Sequence, residues 1–219
     1  MKILGQKIHW HDTKWIQQAL THRSMGKFNN ERLEFLGDSI LSLVISSYLF
    51  KKYSELTEGE LSRLRSQIVK GKTLAAVGRH YQLGPLLKLG PGEIKSGGVN
   101  KSSVLADAVE AVFGAVLLDQ GFEIAYQVVE QVMKPWLSNI NPGLIKKDPK
   151  SELQEILQQQ GLQLPMYQTI DEMEINNETR FKVKCFVNEL KLSMTSSGSS
   201  IKKAEQSAAS KMIEELQSQ

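Results

Sequence analysis

The chain has 219 residues and a net charge of +3, with 41% hydrophobic and 23% charged residues, an ordinary composition for a soluble globular protein of one or two domains. Its only cysteine is Cys185, which excludes an internal disulfide and a cysteine-built zinc site. The longest nearly apolar stretch, 40–50, is too short to span a bilayer, and residues 1–10 carry no evident secretory signal. We therefore predict a cytoplasmic protein with no membrane partner.

Apolar spacing predicts that the first part of the chain is all-α. Residues at helical intervals indicate helices in five segments: 15–20, 33–45, 61–80, 103–118 and 128–136. Pro135 is expected to end the last of them, because proline cannot donate a backbone hydrogen bond. A glycine-rich loop is expected over 90–98, and strand patterns are scarce here.

The boundary between two domains is predicted near 141–147, a short polar linker that contains glycine. Asp148 and Pro149 then suit the N-cap and the first position of a helix. We therefore expect one domain over 1–147, including the linker, and a second over 148–219.

The second part changes from helical to alternating periodicity. Its pattern predicts a helix, three strands and a final helix over 152–160, 165–170, 179–187, 191–196 and 204–216. The order is α-β-β-β-α within about 70 residues, a reasonable size for a small independent domain.

Charge is distributed unevenly between the two parts. Residues 1–147 hold 19 Lys and Arg against 13 Asp and Glu, a net charge of +6. Residues 148–219 hold 8 against 11, a net charge of −3. Charge alone would direct a nucleic acid to the first part and away from the second.

Five acidic residues stand at helical spacing in otherwise apolar segments. Glu31, Glu34 and Asp38 lie at i, i+3 and i+7, and Asp107 and Glu110 lie at i, i+3. Buried carboxylates need compensating charge, and Mg²⁺ prefers oxygen ligands. Two helices with facing acids would form such a metal site.

Spacing alone leaves a second interpretation open. The acids would then form a solvated helix face or pair with Arg32, Arg63 or Arg65, since exposed helical ion pairs are common. From the residues alone, the two interpretations have about equal support.

Several motifs resemble those of bacterial ribonuclease III. Residues 30–39, NERLEFLGDS, are similar to the highly specific signature of this family. Supporting matches are ALTHRS at 19–24, EGELSR at 58–63, KSGG at 95–98 and LADAVEA at 105–111. The α-β-β-β-α part resembles the double-stranded-RNA-binding domain of the family, so the resemblance covers nearly the whole chain.

This resemblance implies a multidomain enzyme with an all-α ribonuclease III endonuclease domain followed by an α-β-β-β-α double-stranded-RNA-binding domain. The implied reaction is hydrolysis of phosphodiester bonds in double-stranded RNA, with Mg²⁺ as cofactor and Mn²⁺ as a substitute, leaving 5′-phosphate and 3′-hydroxyl ends. The implied roles are processing of ribosomal RNA precursors, transfer RNA and messenger RNA, and messenger RNA turnover. The alternative is a catalytically silent double-stranded-RNA-binding protein, which the presence of all the acids disfavours.

By position, the resemblance assigns metal binding to Glu34, Asp38, Asp107 and Glu110, and catalysis to Asp38 and Glu110. Glu31 corresponds to an accessory acid for a second metal or for RNA, and Glu58 corresponds to another.

Phe35 follows Glu34 directly, so on a helix it faces away from the acids. In the family, this position inserts an aromatic ring into a pocket of the partner subunit, which implies a homodimer. Two active sites would then face opposite strands and leave short 3′ overhangs. The alternative is an ordinary core phenylalanine.

The resemblance also assigns RNA contacts in the second domain. One face of its first helix carries Ser151, Gln154, Glu155 and Gln158. A second contact is assigned to Lys202 and Lys203, and a third to Asn177, where the family commonly has histidine. Ile201 stands where the family usually has another basic residue, so weaker phosphate contact is expected there.

Overall fold

The computed structural model describes residues 1–138, 140, 148–175 and 178–218, so the predicted linker 141–147 lies outside the described residues. The chain divides into two compact units, Met1–Ile145 and Lys146–Gln219. Each unit has a hydrophobic core of its own.

The first unit is helical, as predicted, apart from a hairpin of two-residue strands, β1 (Lys2–Ile3) and β2 (Gln6–Lys7). Its helices are α1 (Thr13–Ala19), α2 (Glu31–Lys52), α3 (Glu58–Ile68), α4 (Gly71–His80), α5 (Pro91–Lys95), α6 (Ser102–Gln120) and α7 (Phe122–Leu137). Helix α6 is the most deeply buried, because its apolar residues face the core on nearly every side.

Two predicted boundaries in this unit are wrong. The single helix expected over 61–80 is two helices, since Lys70 has extended dihedrals (φ −65°, ψ 147°) between α3 and α4. Pro135 lies inside α7, which continues to Leu137. Proline removes one backbone hydrogen bond of the helix, and α7 ends two residues after it.

Helix α2 extends beyond the nearly apolar stretch 40–50, which is too short to cross a membrane. Its 22 residues have the length and hydropathy of a membrane-spanning helix, but buried core helices often have the same length and hydropathy. Leu41, Val44 and Ile45 are fully buried in the core of the unit. Packing in that core explains the apolar residues on the inner side of α2.

Glycine allows α2 and α6 to pack with their backbones in contact. A Cβ atom at Gly37 would overlap the carbonyl oxygen of Glu110, and one at Gly114 would overlap that of Leu33. The two positions face each other, so only glycine at both permits this close crossing.

Substitution of Gly37 by alanine should therefore lower the free energy of unfolding of the first unit by about 3 kcal/mol or more, because α2 and α6 must separate. Urea unfolding followed by tryptophan fluorescence measures this, since Trp10, Trp15 and Trp136 all lie in this unit. Gly92→Ala is the control, because a Cβ there meets no atom within 4 Å. An unchanged unfolding midpoint for Gly37→Ala would contradict the role of this contact.

The second unit has the predicted α-β-β-β-α order. Its elements are α8 (Pro149–Gln159), β3 (Met166–Ile175), β4 (Glu178–Val187), β5 (Leu192–Gly198) and α9 (Ile201–Ser218). The strands form one antiparallel sheet in the order β3-β4-β5, with Gln168 opposite Lys184 and Lys184 opposite Thr195. Asp148 caps α8 as predicted, since its side chain accepts hydrogen bonds from the backbone N–H groups of Lys150 and Ser151.

One face of this sheet packs against both helices. The core contains Leu153 and Leu157 from α8, Cys185 and Val187 from β4, and Ala208, Ala209, Met212 and Ile213 from α9. Cys185 is fully buried, which confirms the prediction that it is a small core residue.

Candidate functional site

Three carboxylates from two helices meet at one point of the first unit. Glu34 lies in the first turn of α2, and Asp107 and Glu110 lie one turn apart on α6. One carboxylate oxygen from each residue lies within 4.8 Å of the other two. All three residues are partly buried.

The glycine contact brings these acids together. Gly37 is one turn after Glu34, and it packs on the backbone of Glu110 itself. The sequence motif contains Gly37, but no role was predicted for it or for Gly114. The sequence does contain a signal for this contact, because both glycines stand within apolar helices. Glycine there lowers helix stability by about 1 kcal/mol relative to alanine, so its presence indicates a close packing contact.

The acids hold their protons unusually tightly. Burial, together with the charges of Asp38, Glu34 and Asp107, raises the pKa of Glu110 from 4.5 to about 8. Burial also raises the pKa of Glu34, with the charge of Asp107 adding to the effect. For Asp107, burial raises the pKa, and electrostatic interactions with His22 and Arg23 oppose that shift.

The raised pKa of Glu110 predicts a pH dependence of stability for the metal-free protein. The unfolded chain loses the Glu110 proton near pH 4.5, whereas the folded chain keeps it until about pH 8. The stabilisation is therefore fully present below pH 4.5 and is lost as the pH rises through about 8. After a discount for solvent screening, the free energy of unfolding should fall by about 2 kcal/mol over this interval.

Urea unfolding with a chelator present, at several pH values between about 5 and 8, measures this decline. Glu110→Gln should flatten it, because glutamine does not ionise. A decline of equal size in that variant would show that other groups cause it.

The remaining predicted acids lie outside the three-residue group. Asp38 is exposed on α2 beside it, near enough for its charge to raise the pKa of Glu110. Glu31 lies in the first turn of α2, where its carboxylate is 3.8 Å from Arg23. Glu58 begins α3, accepts a 2.7 Å hydrogen bond from Ser62, and lines a separate groove.

Two residues near the acids had no predicted role. Arg23 pairs with Glu31, and its charge partly opposes the upward pKa shifts of Glu34 and Asp107. His22 is buried and bonded to Ser24 through Nδ1 at 2.9 Å. Both belong to the ALTHRS motif, so the motif places positive charge at the edge of the acid group.

The donor set suits a hard divalent cation. Within the described residues, Glu34, Asp107 and Glu110 form no ion pair with a basic side chain, and Arg65 donates instead to Ser46 at 3.0 Å. Three converging carboxylates without a cationic partner fit an ion that takes oxygen ligands. In the described part of the chain, these three acids form no ion pair with Arg32, Arg63 or Arg65, the pairing that the spacing left open.

The predicted RNA-contact face of α8 is exposed. Ser151, Gln154, Glu155 and Gln158 lie on its outer side, while Leu153 and Leu157 are buried. This arrangement presents a hydroxyl, two amides and a carboxylate to solvent on one side of α8.

The predicted phosphate contact begins α9. Lys202 and Lys203 are both exposed in its first turn, and Lys203 Nζ lies 3.1 Å from Ser199 Oγ. Ile201 is 45% exposed beside them. Asn177, the third predicted contact, lies outside the described residues.

Some acids of the second unit lie away from these lysines, and Glu205, the acid nearest to them in α9, is paired with Lys150. Glu214 follows Lys203 by eleven positions, about 17 Å along α9 at 1.5 Å per residue. Asp171 lies opposite Lys182 in the register of β3 and β4. The net charge of −3 therefore does not describe the start of α9, where the exposed charge is positive.

Phe35 is not a core residue. It is 77% exposed on α2, which excludes the alternative of an ordinary core phenylalanine. Phe50, at the other end of α2, is 73% exposed, and Leu43 midway between them is 48% exposed. Apolar exposure along one helix is typical of an interaction surface.

A helical unit with clustered carboxylates, joined to an α-β-β-β-α unit with an exposed lysine pair, fits the class of two-domain enzymes that act on RNA, and comparison with known proteins identifies the family. The family model described as Ribonuclease-III-like matches residues 12–136, and the double-stranded RNA binding motif matches residues 149–216. The chain belongs to the ribonuclease III family and is an enzyme of that family.

Its relatives match over most of their length. The chain is 47% identical to ribonuclease 3 of Bordetella avium over 94% of this chain and 82% of that protein. It is 45% identical to ribonuclease 3 of Vibrio atlanticus over 97% of this chain and 96% of that protein. A solved nuclease domain of ribonuclease III from Campylobacter jejuni, described for flexibility in its dimer-forming region, is 40% identical over 60% of this chain and 92% of that chain, with a TM-score of 0.57.

Proposed function

We propose that this enzyme is a Mg²⁺-dependent endonuclease that hydrolyses double-stranded RNA and leaves 5′-phosphate and 3′-hydroxyl ends. The observation that carries the proposal is the convergence of Glu34, Asp107 and Glu110 within 4.8 Å, with no ion pair to a basic side chain among the residues that the structure describes. The matched double-stranded RNA binding motif supports the choice of substrate.

In this proposal, Glu34, Asp38, Asp107 and Glu110 hold the metal, and Asp38 and Glu110 act in catalysis. Mg²⁺, with Mn²⁺ as a substitute, would lower the pKa of a water and offset charge on the attacked phosphate. The carboxylates orient that ion, and Arg23 and His22 limit the repulsion between the acids. Metal binding and proton loss are linked at Glu110, because its raised pKa leaves it largely protonated at neutral pH without an ion.

The active form in this proposal is a homodimer. Phe35 projects from α2, and a groove of about 600 Å³ lies at the other end of the same helix. The groove lining includes Leu49, Phe50, Leu56 and Leu61. A two-fold contact that runs α2 antiparallel to its copy would insert each Phe35 into the groove of the partner subunit.

The same contact would give Glu58 its accessory role. Glu58 lines the groove that receives the ring, and Phe35 directly follows Glu34 in sequence. Dimerisation would therefore bring Glu58 of one subunit toward the acid group of the other, where Glu31 also lies. Two such sites, one on each strand, would make paired cuts with short 3′ overhangs.

The second unit would hold the duplex. Its contacts would be Ser151, Gln154, Glu155 and Gln158 on α8, Lys202 and Lys203 on α9, and Asn177. The proposed setting is the cytoplasm, in the processing of ribosomal, transfer and messenger RNA and in messenger RNA turnover, without a membrane partner.

Incubation with a long RNA duplex, with Mg²⁺ or with a chelator, tests the proposal. Cleavage only in Mg²⁺, with products that a 5′-phosphate-dependent exonuclease degrades, is the expected result. Binding of the duplex with no cleavage in either condition would favour the catalytically silent alternative.

A further inference from the structure

The N-terminal parts of α8 and α9 are joined by a partly buried polar bridge. Lys150 Nζ lies 2.6 Å from Glu205 Oε2, and the two side chains are only 34% and 22% exposed. Lys150 Nζ also lies 4.4 Å from the ring centre of Tyr167 on β3. A lysine held by a carboxylate and an aromatic face is restrained more strongly than a surface lysine.

A second bond runs parallel to the first. Gln206 Nε2 donates to Asp148 Oδ2, and the other oxygen of Asp148 caps α8. Adjacent residues of α9 therefore bond to the residues that begin α8. The bridge lies directly beside both proposed RNA contacts, since Ser151 follows Lys150 and Lys203 is two residues before Glu205.

We propose that Lys150 and Glu205 are positioning residues for duplex RNA binding. Their bridge holds the starts of α8 and α9 at one spacing, so that the groove-facing side chains of α8 and the lysines of α9 meet the duplex together. This inference rests on the proposed RNA-binding function. It assigns Lys150, which stands beside the binding face, to the bridge and not to a phosphate.

The direction in which RNA affinity changes when Glu205 loses its charge distinguishes a positioning role from a purely electrostatic effect on the RNA. Glu205 is an acid two residues from Lys203, so removing its charge would strengthen attraction to phosphates if attraction were its only effect. A positioning role predicts the opposite result. Loss of the bridge frees the two helix starts to vary in spacing, and affinity falls.

Binding of the full chain to an RNA duplex, measured by fluorescence anisotropy with a chelator and over a series of salt concentrations, tests the inference. Glu205→Gln and Lys150→Gln should each weaken binding about fivefold. The slope of log affinity against log salt should stay as in the wild type, because neither variant loses a phosphate contact. Lys203→Gln, which does lose one, should lower that slope by about one.

Two further variants complete the design. Glu214→Gln makes the same chemical change as Glu205→Gln at an exposed position near the other end of α9 and should leave affinity unchanged. The charge-swapped pair Lys150→Glu with Glu205→Lys should recover most of the affinity, and it keeps the test decisive if a single variant loses its far-ultraviolet circular dichroism spectrum.

The outcomes are separable. Equal or tighter binding by Glu205→Gln would overturn the inference while leaving the proposed function intact, as would a lower salt slope for Lys150→Gln. Failure of the wild type to bind the duplex would overturn the RNA-binding part of the proposed function and this inference with it.

Discussion

Replacement of Glu110 by glutamine should lower the rate of duplex RNA cleavage by about a thousandfold, or about 4 kcal/mol of transition-state stabilisation. Glutamine keeps the size of the side chain and one oxygen but removes the charge that an ion in this site requires. Glu110 contacts Gly37 through its backbone, which the substitution leaves unchanged, so the packing of α2 on α6 should survive. Single-turnover cleavage of a labelled duplex at saturating Mg²⁺ measures the effect.

Glu130→Gln is the matched control, because Glu130 is an exposed acid on α7 with no part in the acid group. It should cleave at the wild-type rate. Duplex binding by Glu110→Gln should also be preserved, since the proposed RNA contacts lie in the other unit. Cleavage by Glu110→Gln at an undiminished rate would remove this residue from the site.

The same substitution should stabilise the metal-free protein near pH 8, because it removes a carboxylate that ionises against burial and three neighbouring acids. Activity and stability are thus expected to change in opposite directions at one residue. Carboxylates placed close together to bind a cation repel one another and lower the free energy of unfolding until a bound cation neutralises them.

The acid site was predictable in part. Helical spacing placed Glu31, Glu34 and Asp38 on one face, and the family signature selected the four principal acids. The tight group nevertheless contains Glu34, Asp107 and Glu110, with Asp38 beside it. Spacing along one helix cannot give distances between helices, which here depend on the backbone contact at Gly37.

Helix boundaries were likewise predictable only where residues close in sequence determine them. The start of α8 was predicted correctly because Asp148 and Pro149 act within one turn. The apolar spacing over 61–80 does not indicate the break at Lys70, and proline as a helix-ending residue does not indicate the continuation of α7 to Leu137. The bridge between Lys150 and Glu205 was also missed, because 55 residues separate its members in sequence.

Replacement of Phe35 by alanine should weaken the proposed dimer by about a thousandfold. Two-fold symmetry buries the ring twice, and each buried phenylalanine contributes about 2 kcal/mol. The isolated subunit should be unaffected, because Phe35 is 77% exposed and supports no core contact. Sedimentation velocity over a range of protein concentrations measures the dissociation constant.

Phe28→Ala is the control for this prediction, since Phe28 is also an exposed phenylalanine, at 59%, and has no proposed role in the dimer. Cleavage provides a second measurement. If each site needs Glu58 from the other subunit, Phe35→Ala should lose activity at low protein concentration and regain it as the concentration rises. Glu110→Gln should stay inactive at every concentration, because dimerisation does not restore its missing charge. A Phe35→Ala protein that remains dimeric at nanomolar concentration would show that the contact between subunits lies elsewhere.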